Sequence, residues 1–159
     1  MKGIEVKREI NAPAERVWGA ITDLDGATER LSGVDAIERL GGPEFGVGTR
    51  WRETRTMFGK QATEDMEIAT VDDGRAYTVI ADSHSTHYHS EMRVESAGDA
   101  ASVLSMRMSG EPQTFWAKLA GATIGRLFVG ATRKALQKDL DEIAAAAEAT
   151  PDDSQPSSG

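Results

Sequence analysis

The sequence contains no cysteine among its 159 residues. Disulfide bonds, thiolate nucleophiles and cysteine-ligated zinc or iron–sulfur centres are therefore excluded, which is typical of proteins in a reducing cytoplasm. Cationic residues are also few, since 18 Lys and Arg stand against 26 Asp and Glu and give a formal net charge of −8. Because nucleic-acid binding depends on a positively charged surface, we expect no nucleic-acid partner.

Long apolar runs are missing as well. No stretch approaches the roughly 18 apolar residues that a membrane span requires, and the opening MKGIEVKREI lacks the apolar core of a signal peptide. We therefore expect a cytoplasmic protein with no membrane span. The length suits a single domain, present as a monomer or a homodimer.

A long helix is predicted for the last periodic segment, from Pro112 to about Ala147. A proline is tolerated in the first turn because the amide hydrogen that it lacks would have no partner there. One side of this helix carries apolar residues at intervals of three and four, and we expect it to be buried: Leu136, Leu140, Ile143 and Ala147. The other side is polar, and we expect it to face water: Arg126, Arg133, Gln137 and Asp141.

Glycine interrupts the first half of the predicted helix, at Gly121, Gly125 and Gly130. Each glycine costs roughly 1 kcal/mol relative to alanine in a helix interior. Such a cost indicates either a bend or a face that another group must approach closely. We therefore predict a cavity against this part of the helix.

A strand, two short helices and six further strands are predicted before the long helix. Segment 3–10 alternates as a half-buried strand does, and NAPAERVWGAITDL predicts a helix with Asn11 as its cap and Pro13 in its first turn. The buried stripe of that helix is Val17, Trp18 and Ile21. A second short helix is predicted around 24–31. Period-two patterns and turn residues then predict an antiparallel meander of strands at 34–40, 48–58, 61–71, 75–82, 85–96 and 102–109.

The phrase INAPAERVWGAITDL resembles the opening of the START-like or SRPBCC superfamily, which includes many bacterial proteins described as polyketide cyclase/dehydrase. The matching residues are Ala12-Pro13-Ala14-Glu15, Val17-Trp18, Thr22-Asp23-Leu24 and the strand opening Gly48-Thr49-Arg50-Trp51. The closing amphipathic helix is also similar to that of the family. These motifs describe packing and turns, so they are specific for the fold and say little about function.

The resemblance implies an α+β helix-grip fold. In that fold a curved antiparallel sheet of about six or seven strands wraps around the long C-terminal helix, and two short helices follow the first strand. The domain would cover residues 1–148. Residues 149–159, rich in Pro, Ser and Asp, are predicted to be a disordered tail.

By resemblance, the sheet and the last helix enclose a tunnel for an apolar small molecule. Side chains alternate along a strand, so the parity of the apolar residues marks the inner face. The predicted ligand-binding residues on the strands are Trp51, Glu53, Arg55, Met57, Glu64, Met66, Tyr88, Ser90, Met92, Leu104 and Met106. Those on the helix are Trp116, Leu119 and Thr123. Methionines suit such a site because they adapt to irregular shapes.

Four of these residues are polar enough to anchor a ligand or to do chemistry: Glu53, Arg55, Glu64 and Tyr88. If they point inward, the charges must pair, because an unpaired buried charge is too costly. Arg55 could then anchor a carboxylate or carbonyl while a glutamate acts as general acid or base. Alternatively, the same residues pair at the tunnel mouth, half in solvent. Catalytic residues stay unassigned.

A histidine pair raises the question of a metal site. His87, His89 and Glu91 share one face of a strand, and such a set can bind zinc or iron. That parity is opposite to Met92 and Val94, which places the three residues on the outer, solvated side. We therefore predict no metal site and no cofactor.

Three functions fit these observations. The first is binding or carriage of a hydrophobic or aromatic small molecule, lipid-like or polyketide-like. The second is an enzyme of the cyclase, dehydratase or lyase kind that uses polar pocket residues. The third is a protein-interaction module with a vestigial cavity, which would show an exposed apolar patch and no continuous pocket. The sequence has no strong acid–base constellation, which favours the first.

Overall fold

A computed structural model describes residues 3–149 except 58, 84, 85, 113 and 114. Within that range, only the backbone is described at positions 57, 60, 82, 83, 86, 111, 112 and 115–128. The predicted tail lies outside the described residues from position 150 onward.

The element order is that of the predicted helix-grip fold, and the α+β assignment is confirmed. In chain order the elements are β1 (Ile4–Ile10), α1 (Ala14–Thr22), α2 (Ala27–Arg30), β2 (Val34–Gly41), β3 (Arg50–Met57), β4 (Lys60–Asp72), β5 (Ala76–Ser83), β6 (Thr86–Ser96), β7 (Ser102–Pro112) and α3 (Phe115–Ala149). The seven strands form one antiparallel sheet in the order β1-β7-β6-β5-β4-β3-β2. No helix in the described part of the chain is apolar enough over a sufficient length to cross a bilayer.

Helix α1 begins differently from the prediction. Pro13, not Asn11, is the residue at the N-cap, and its carbonyl accepts from the amides of Arg16 and Val17. The prediction of an Asn11 cap was wrong because the backbone is still extended at Pro13 (ψ 151°). The helix therefore begins two residues later than a cap at Asn11 would require. Val17 and Ile21 are buried as expected. Trp18, the third residue predicted for that stripe, is only half-buried.

The core lies between the C-terminal half of α3, the β1–β7 corner of the sheet and α1. Leu136, Leu140, Ile143 and Ala147 are at most 2% exposed, so the predicted apolar side of the helix is buried. The core residues packed with them include Val6, Ile10, Val17, Val94 and Leu104. Burying each large aliphatic side chain contributes about 1.5–3 kcal/mol, so this corner holds α3 on the sheet.

The polar side of α3 does more than face water. Arg133 donates to the carbonyl of Glu5 (2.7 Å), and Asp141 accepts from Arg8 (2.9 Å). Gln137 lies 3.4 Å from the carbonyl of Lys7. Strand β1 is an edge of the sheet, where carbonyl groups lack a neighbouring strand. The helix therefore covers that edge with side-chain donors, a role that its charge pattern alone did not indicate.

The loop between β2 and β3 is held closed from inside. The fully buried hydroxyl of Thr49 donates to the carbonyl of Pro43 and accepts from the amide of Gly46, both at 2.9 Å. Gly42 has a φ of +82°, and a Cβ there would lie 2.1 Å from the carbonyl oxygen of Gly48. Only glycine fits at that position. Phe45 of this loop is half-buried and packs against the hydrophobic core, so the loop is part of the packed domain.

Replacing Thr49 with valine keeps the shape of the side chain but leaves the Pro43 carbonyl and the Gly46 amide without their partner. We expect Thr49→Val to lower the free energy of unfolding by about 1–3 kcal/mol, measured by urea denaturation. Thr70→Val is the matched control, because its hydroxyl bonds only to that of exposed-side Thr78. It should change stability by less than about 0.5 kcal/mol. Equal effects of the two substitutions would contradict the role of Thr49.

Candidate functional site

A cavity of about 280 Å³ lies between the inner face of the sheet and the helices α1, α2 and α3. Its wall is mostly apolar, with a few ionisable groups on one side. The lining residues on the sheet are Ile37, Trp51, Glu53, Arg55, Ala62, Glu64, Met66, Tyr77, Val79, Ala81, Tyr88, Ser90, Met92, Met106 and Met108. Those on the helices and the α2–β2 connection are Ala20, Ile21, Asp23, Leu24, Ala27, Arg30, Leu31, Thr132, Leu136, Asp139 and Ile143.

Nine of the predicted ligand-binding residues lie on this wall: Trp51, Glu53, Arg55, Glu64, Met66, Tyr88, Ser90, Met92 and Met106. They project inward because the register of β3, β4, β6 and β7 keeps the same parity through the segments that carry them. Leu104 does not lie on the wall. It is fully buried in the hydrophobic core, at the closed end of β7.

Four predicted residues cannot be placed. The side chains of Met57, Trp116, Leu119 and Thr123 lie outside the described residues. The cavity does border α3, but its described helical lining begins at Thr132, after the glycines that suggested it. At Gly130 a Cβ would meet nothing within 4 Å, so close approach does not explain that glycine.

The polar side of the cavity is organised around Arg55. Its Nη1 lies 2.7 Å from Oδ2 of Asp139 on α3, and its Nε lies 3.2 Å from Oε1 of Glu53, its neighbour on β3. The other oxygen of Glu53 accepts from the indole nitrogen of Trp51 at 3.3 Å. The three charged side chains are 22%, 7% and 12% exposed, in the order Arg55, Asp139, Glu53. The cluster is therefore inside the domain and not at its surface.

One guanidinium pairs with two carboxylates in this cluster. This excess of negative charge, together with burial, shifts the pKa values of Arg55 and Asp139. Burial would by itself lower the pKa of Arg55, but the charges of Asp139 and Glu53 raise it above its ordinary value. Burial raises the pKa of the Asp139 carboxyl, and the charges of Glu53 and Glu142 raise it further, against the opposing effect of Arg55. Arg55 therefore stays charged, while Asp139 holds a proton more readily than an ordinary aspartate.

Tyr77 fixes the opposite wall. Its hydroxyl donates to the carbonyl of Ile21 at 2.9 Å and so joins β5 to the last turn of α1. Burial, and secondly the charge of Glu53, raise the pKa of Tyr77 well above its ordinary value, so the phenol stays neutral. Its ring packs edge-to-face against Trp18 and Phe45, with ring centroids 6.1 and 5.2 Å away. Tyr77 thus lines the cavity and is held in place by two aromatic rings behind it, one of them on the loop that carries Phe45.

One polar atom of the wall has no partner. The hydroxyl of Thr132 is buried, and no hydrogen bond satisfies it among the residues that the structure describes. Thr132 lies on α3 seven residues before Asp139, so the two side chains are two turns apart on one face. At 1.5 Å per residue their Cα atoms are roughly 10 Å apart along the helix. An unpaired buried hydroxyl costs free energy that a bound molecule could recover.

The histidine pair lies on the other face of β6. The rings of His87 and His89 are 5.4 Å apart, and Glu91 pairs with Arg93 at 3.1 Å. Within the described part of the chain, no group of three or more His, Asp or Glu side chains is placed to hold a metal ion.

Sequence reasoning missed Asp139, Thr132 and Tyr77. A usable signal existed for the first two, because positions 132, 136, 139 and 143 form one helical stripe that is otherwise apolar. A lone acid in an apolar stripe must meet a cation, and Arg55 is that cation. For Tyr77 no sequence signal distinguished a buried phenol from an ordinary strand residue.

The fold and the enclosed cavity define a helix-grip domain of the START-like class. Residues 1–148 match the model of the family described as polyketide cyclase / dehydrase and lipid transport, and the chain belongs to that family. No curated protein matches the sequence closely enough to count as a relative.

Solved structures of similar fold are distant in sequence. A protein from Thermus thermophilus superposes with a TM-score of 0.76 at 19% identity, over 92% of this chain and 97% of the other. An aromatase/cyclase, ZhuI from a Streptomyces species, gives 0.74 at 16% identity, over 92% and 93%. Norcoclaurine synthase from Thalictrum flavum gives 0.66 at 18% identity, over 92% and 93%. At these identities the likeness concerns the fold alone.

The raised pKa of Asp139 predicts an unusual pH dependence of stability. The folded state keeps the Asp139 proton to a higher pH than the unfolded state does, so this residue makes stability fall as pH rises from the ordinary aspartate range to the raised value. Each unit of raised pKa corresponds to about 1.4 kcal/mol. We therefore expect the stability of Asp139→Asn relative to the unsubstituted protein to improve as pH rises above the ordinary aspartate range.

Urea denaturation across that pH range measures the difference. Asp141→Asn is the control, because that residue is exposed on the same helix and bonds to Arg8 at the surface. Its effect should stay within about 0.5 kcal/mol. If the curves of Asp139→Asn and the unsubstituted protein run parallel, Asp139 does not titrate as its surroundings require.

Proposed function

We propose that the protein binds an apolar, aromatic-type small molecule in the cavity under α3. The observation that supports this most is the composition of the wall, which is mostly apolar and carries a small number of polar groups, among them the Arg55 cluster and the Thr132 hydroxyl. Ligand pockets typically combine such an apolar surface with a few placed polar groups that fix orientation. The family, whose description includes lipid transport, agrees with a bound apolar molecule.

The size of the cavity favours a compact ligand. Its 280 Å³ is at the lower end of the range of about 300–1,000 Å³ that is usual for small-molecule sites. Met66, Met92, Met106 and Met108 line it, and their flexible thioethers can adjust to a ring system. A few fused or linked rings suit this space better than a long acyl chain.

A second candidate function is catalysis of the cyclase or dehydratase kind. One observation favours it: Asp139 is a buried carboxyl with a raised pKa, beside a guanidinium and on the cavity wall. Such a carboxyl can give or take a proton at a higher pH than an ordinary aspartate does, while Arg55 polarises a carbonyl. The aromatase/cyclase of similar fold is compatible with this alternative. The interaction-module alternative has no observation in its favour among the described residues.

Native mass spectrometry of the protein purified gently from its own host tests the binding function. We expect a stoichiometric mass excess over 17.1 kDa. Ala81→Phe should abolish that excess, because the added ring occupies the cavity that buried Ala81 lines. Ala145→Phe makes the same change on the exposed side of α3 and should keep the excess. A clean apo mass, with no thermal stabilisation by aromatic or lipid compounds, would count against binding.

The same measurement separates a carrier from an enzyme. Asp139→Asn removes the transferable proton and keeps the size of the side chain. A carrier variant should retain the mass of the original ligand. An enzyme variant should instead carry its unreacted substrate, heavier by one water if the reaction is a dehydration. An unchanged ligand mass in Asp139→Asn would exclude Asp139 as an acid or base.

A further inference from the structure

The ionisable groups on the cavity wall do not balance. Four acids and two arginines line it: Asp23, Glu53, Glu64, Asp139, Arg30 and Arg55. With all six ionised, the wall has an excess of two negative charges. An apolar cavity that keeps such an excess disfavours an anionic ligand, because like charges repel strongly where water is displaced.

Both arginines are already matched. Nη1 of Arg30 lies 2.9 Å from Oδ2 of Asp23, and Arg30 also donates to the backbone carbonyl of Asp23. The charges of these two residues therefore neutralise each other. Arg55 is shared between Glu53 and Asp139. Neither arginine therefore brings an unneutralised positive charge to a carboxylate or phosphate of the ligand. The charge that lacks a partner on this wall is therefore negative.

Glu64 carries one of the two unmatched charges, and the other belongs to the Arg55 cluster. It is half-buried on β4, directly opposite Glu53 in the β3–β4 register, and both side chains face the cavity. No hydrogen bond or ion pair of Glu64 occurs within the described residues. Side chains at directly opposed positions have Cβ atoms roughly 5 Å apart, and like charges there are destabilising. Among the described side chains, Arg55 pairs with Glu53 but no cation pairs with Glu64.

A second, independent observation indicates that the wall is completed by a ligand. Thr132 is only 3% exposed and borders the same cavity. Its buried hydroxyl has no hydrogen-bond partner within the described residues. A hydrophobic hydrocarbon alone would leave it unsatisfied. The bound molecule must therefore bring polar groups as well as an apolar body.

We propose that the ligand is an aromatic amine, bound as its ammonium form with the cation between Glu64 and Glu53. The proposal rests on the proposed binding function and names the chemical class of the ligand. An ammonium group has three donors and no acceptor, so it can satisfy both carboxylates at once. Its burial is favourable only beside unmatched negative charge, which this wall supplies. The apolar body lies against the methionines, and a second polar group on the ligand reaches Thr132.

Three probes with one naphthalene body test the charge preference: naphthylethylamine, naphthylethanol and naphthylacetate. Isothermal titration at neutral pH measures their dissociation constants with the full chain. We expect the amine to bind at least about tenfold tighter than the alcohol, and the acetate to bind weakest. An acetate that binds as tightly as the amine would overturn the proposal.

Glu64→Gln identifies the residue responsible. This variant should lose most of the amine-over-alcohol preference, measured as the ratio of the two dissociation constants. It should also melt at a higher temperature without ligand, since it removes the opposed charge, and this shows that the variant is folded. Glu67→Gln, on the same strand but not on the cavity wall, is the matched control and should behave as the unsubstituted protein. If the amine preference survives Glu64→Gln, the assignment of the ammonium position is wrong.

The outcomes also separate this proposal from the binding function itself. Binding of the alcohol without a preference for the amine overturns the amine class and leaves small-molecule binding standing. Failure of all three probes to bind, together with a clean apo mass from the host, overturns both.

Discussion

The charge of Arg55 inside the domain is the constraint on which the rest of the site depends. A buried guanidinium is tolerated only beside carboxylates, so β3 must bring Glu53 and α3 must bring Asp139 to it. The Arg55–Asp139 ion pair connects the sheet to the helix across the space between them. Because the second acid exceeds what one cation can neutralise, the same arrangement leaves an excess of negative charge on the cavity wall and, together with burial, raises the pKa of the Asp139 carboxyl.

The cavity exists because packing is unequal along α3. Near its C-terminal end, Leu140, Ala144 and Ala147 meet the β1–β7 corner and α1 with no gap. Thr132, about two turns before Leu140, and Asp139, the residue before it, line the cavity instead, and polar side chains cannot fill the space with apolar contacts. Tyr77, which bonds to the carbonyl of Ile21, lines the cavity on the α1 side. A rigid corner and an unfilled centre are thus built from one helix, and a ligand that binds only the folded state would stabilise it.

Periodicity predicted the fold because each strand and the long helix have one buried face, and burial imposes a period of two or of 3.6 on the sequence. It also placed Trp51, Met66 and Met92 on the inner side of the sheet. Alternation cannot tell how far along the sheet a residue lies, which is why Leu104 was assigned to the cavity and lies in the core. The partner of Arg55 could not be found from parity, because Asp139 is 84 residues away and on a different element.

The pairing of β1 with β7 has a consequence for how the chain folds. Arg8 lies opposite Leu104, so β1 pairs with a strand about 100 residues later in the sequence and cannot join the sheet until that strand has formed. The edge of β1 is then covered by Arg133 and Asp141, which come later still. Local hairpins from β2 to β6 can form early, but the corner that holds α3 closes last. The domain should therefore fold slowly for its size, with a half-formed sheet exposing its inner face until the final helix docks.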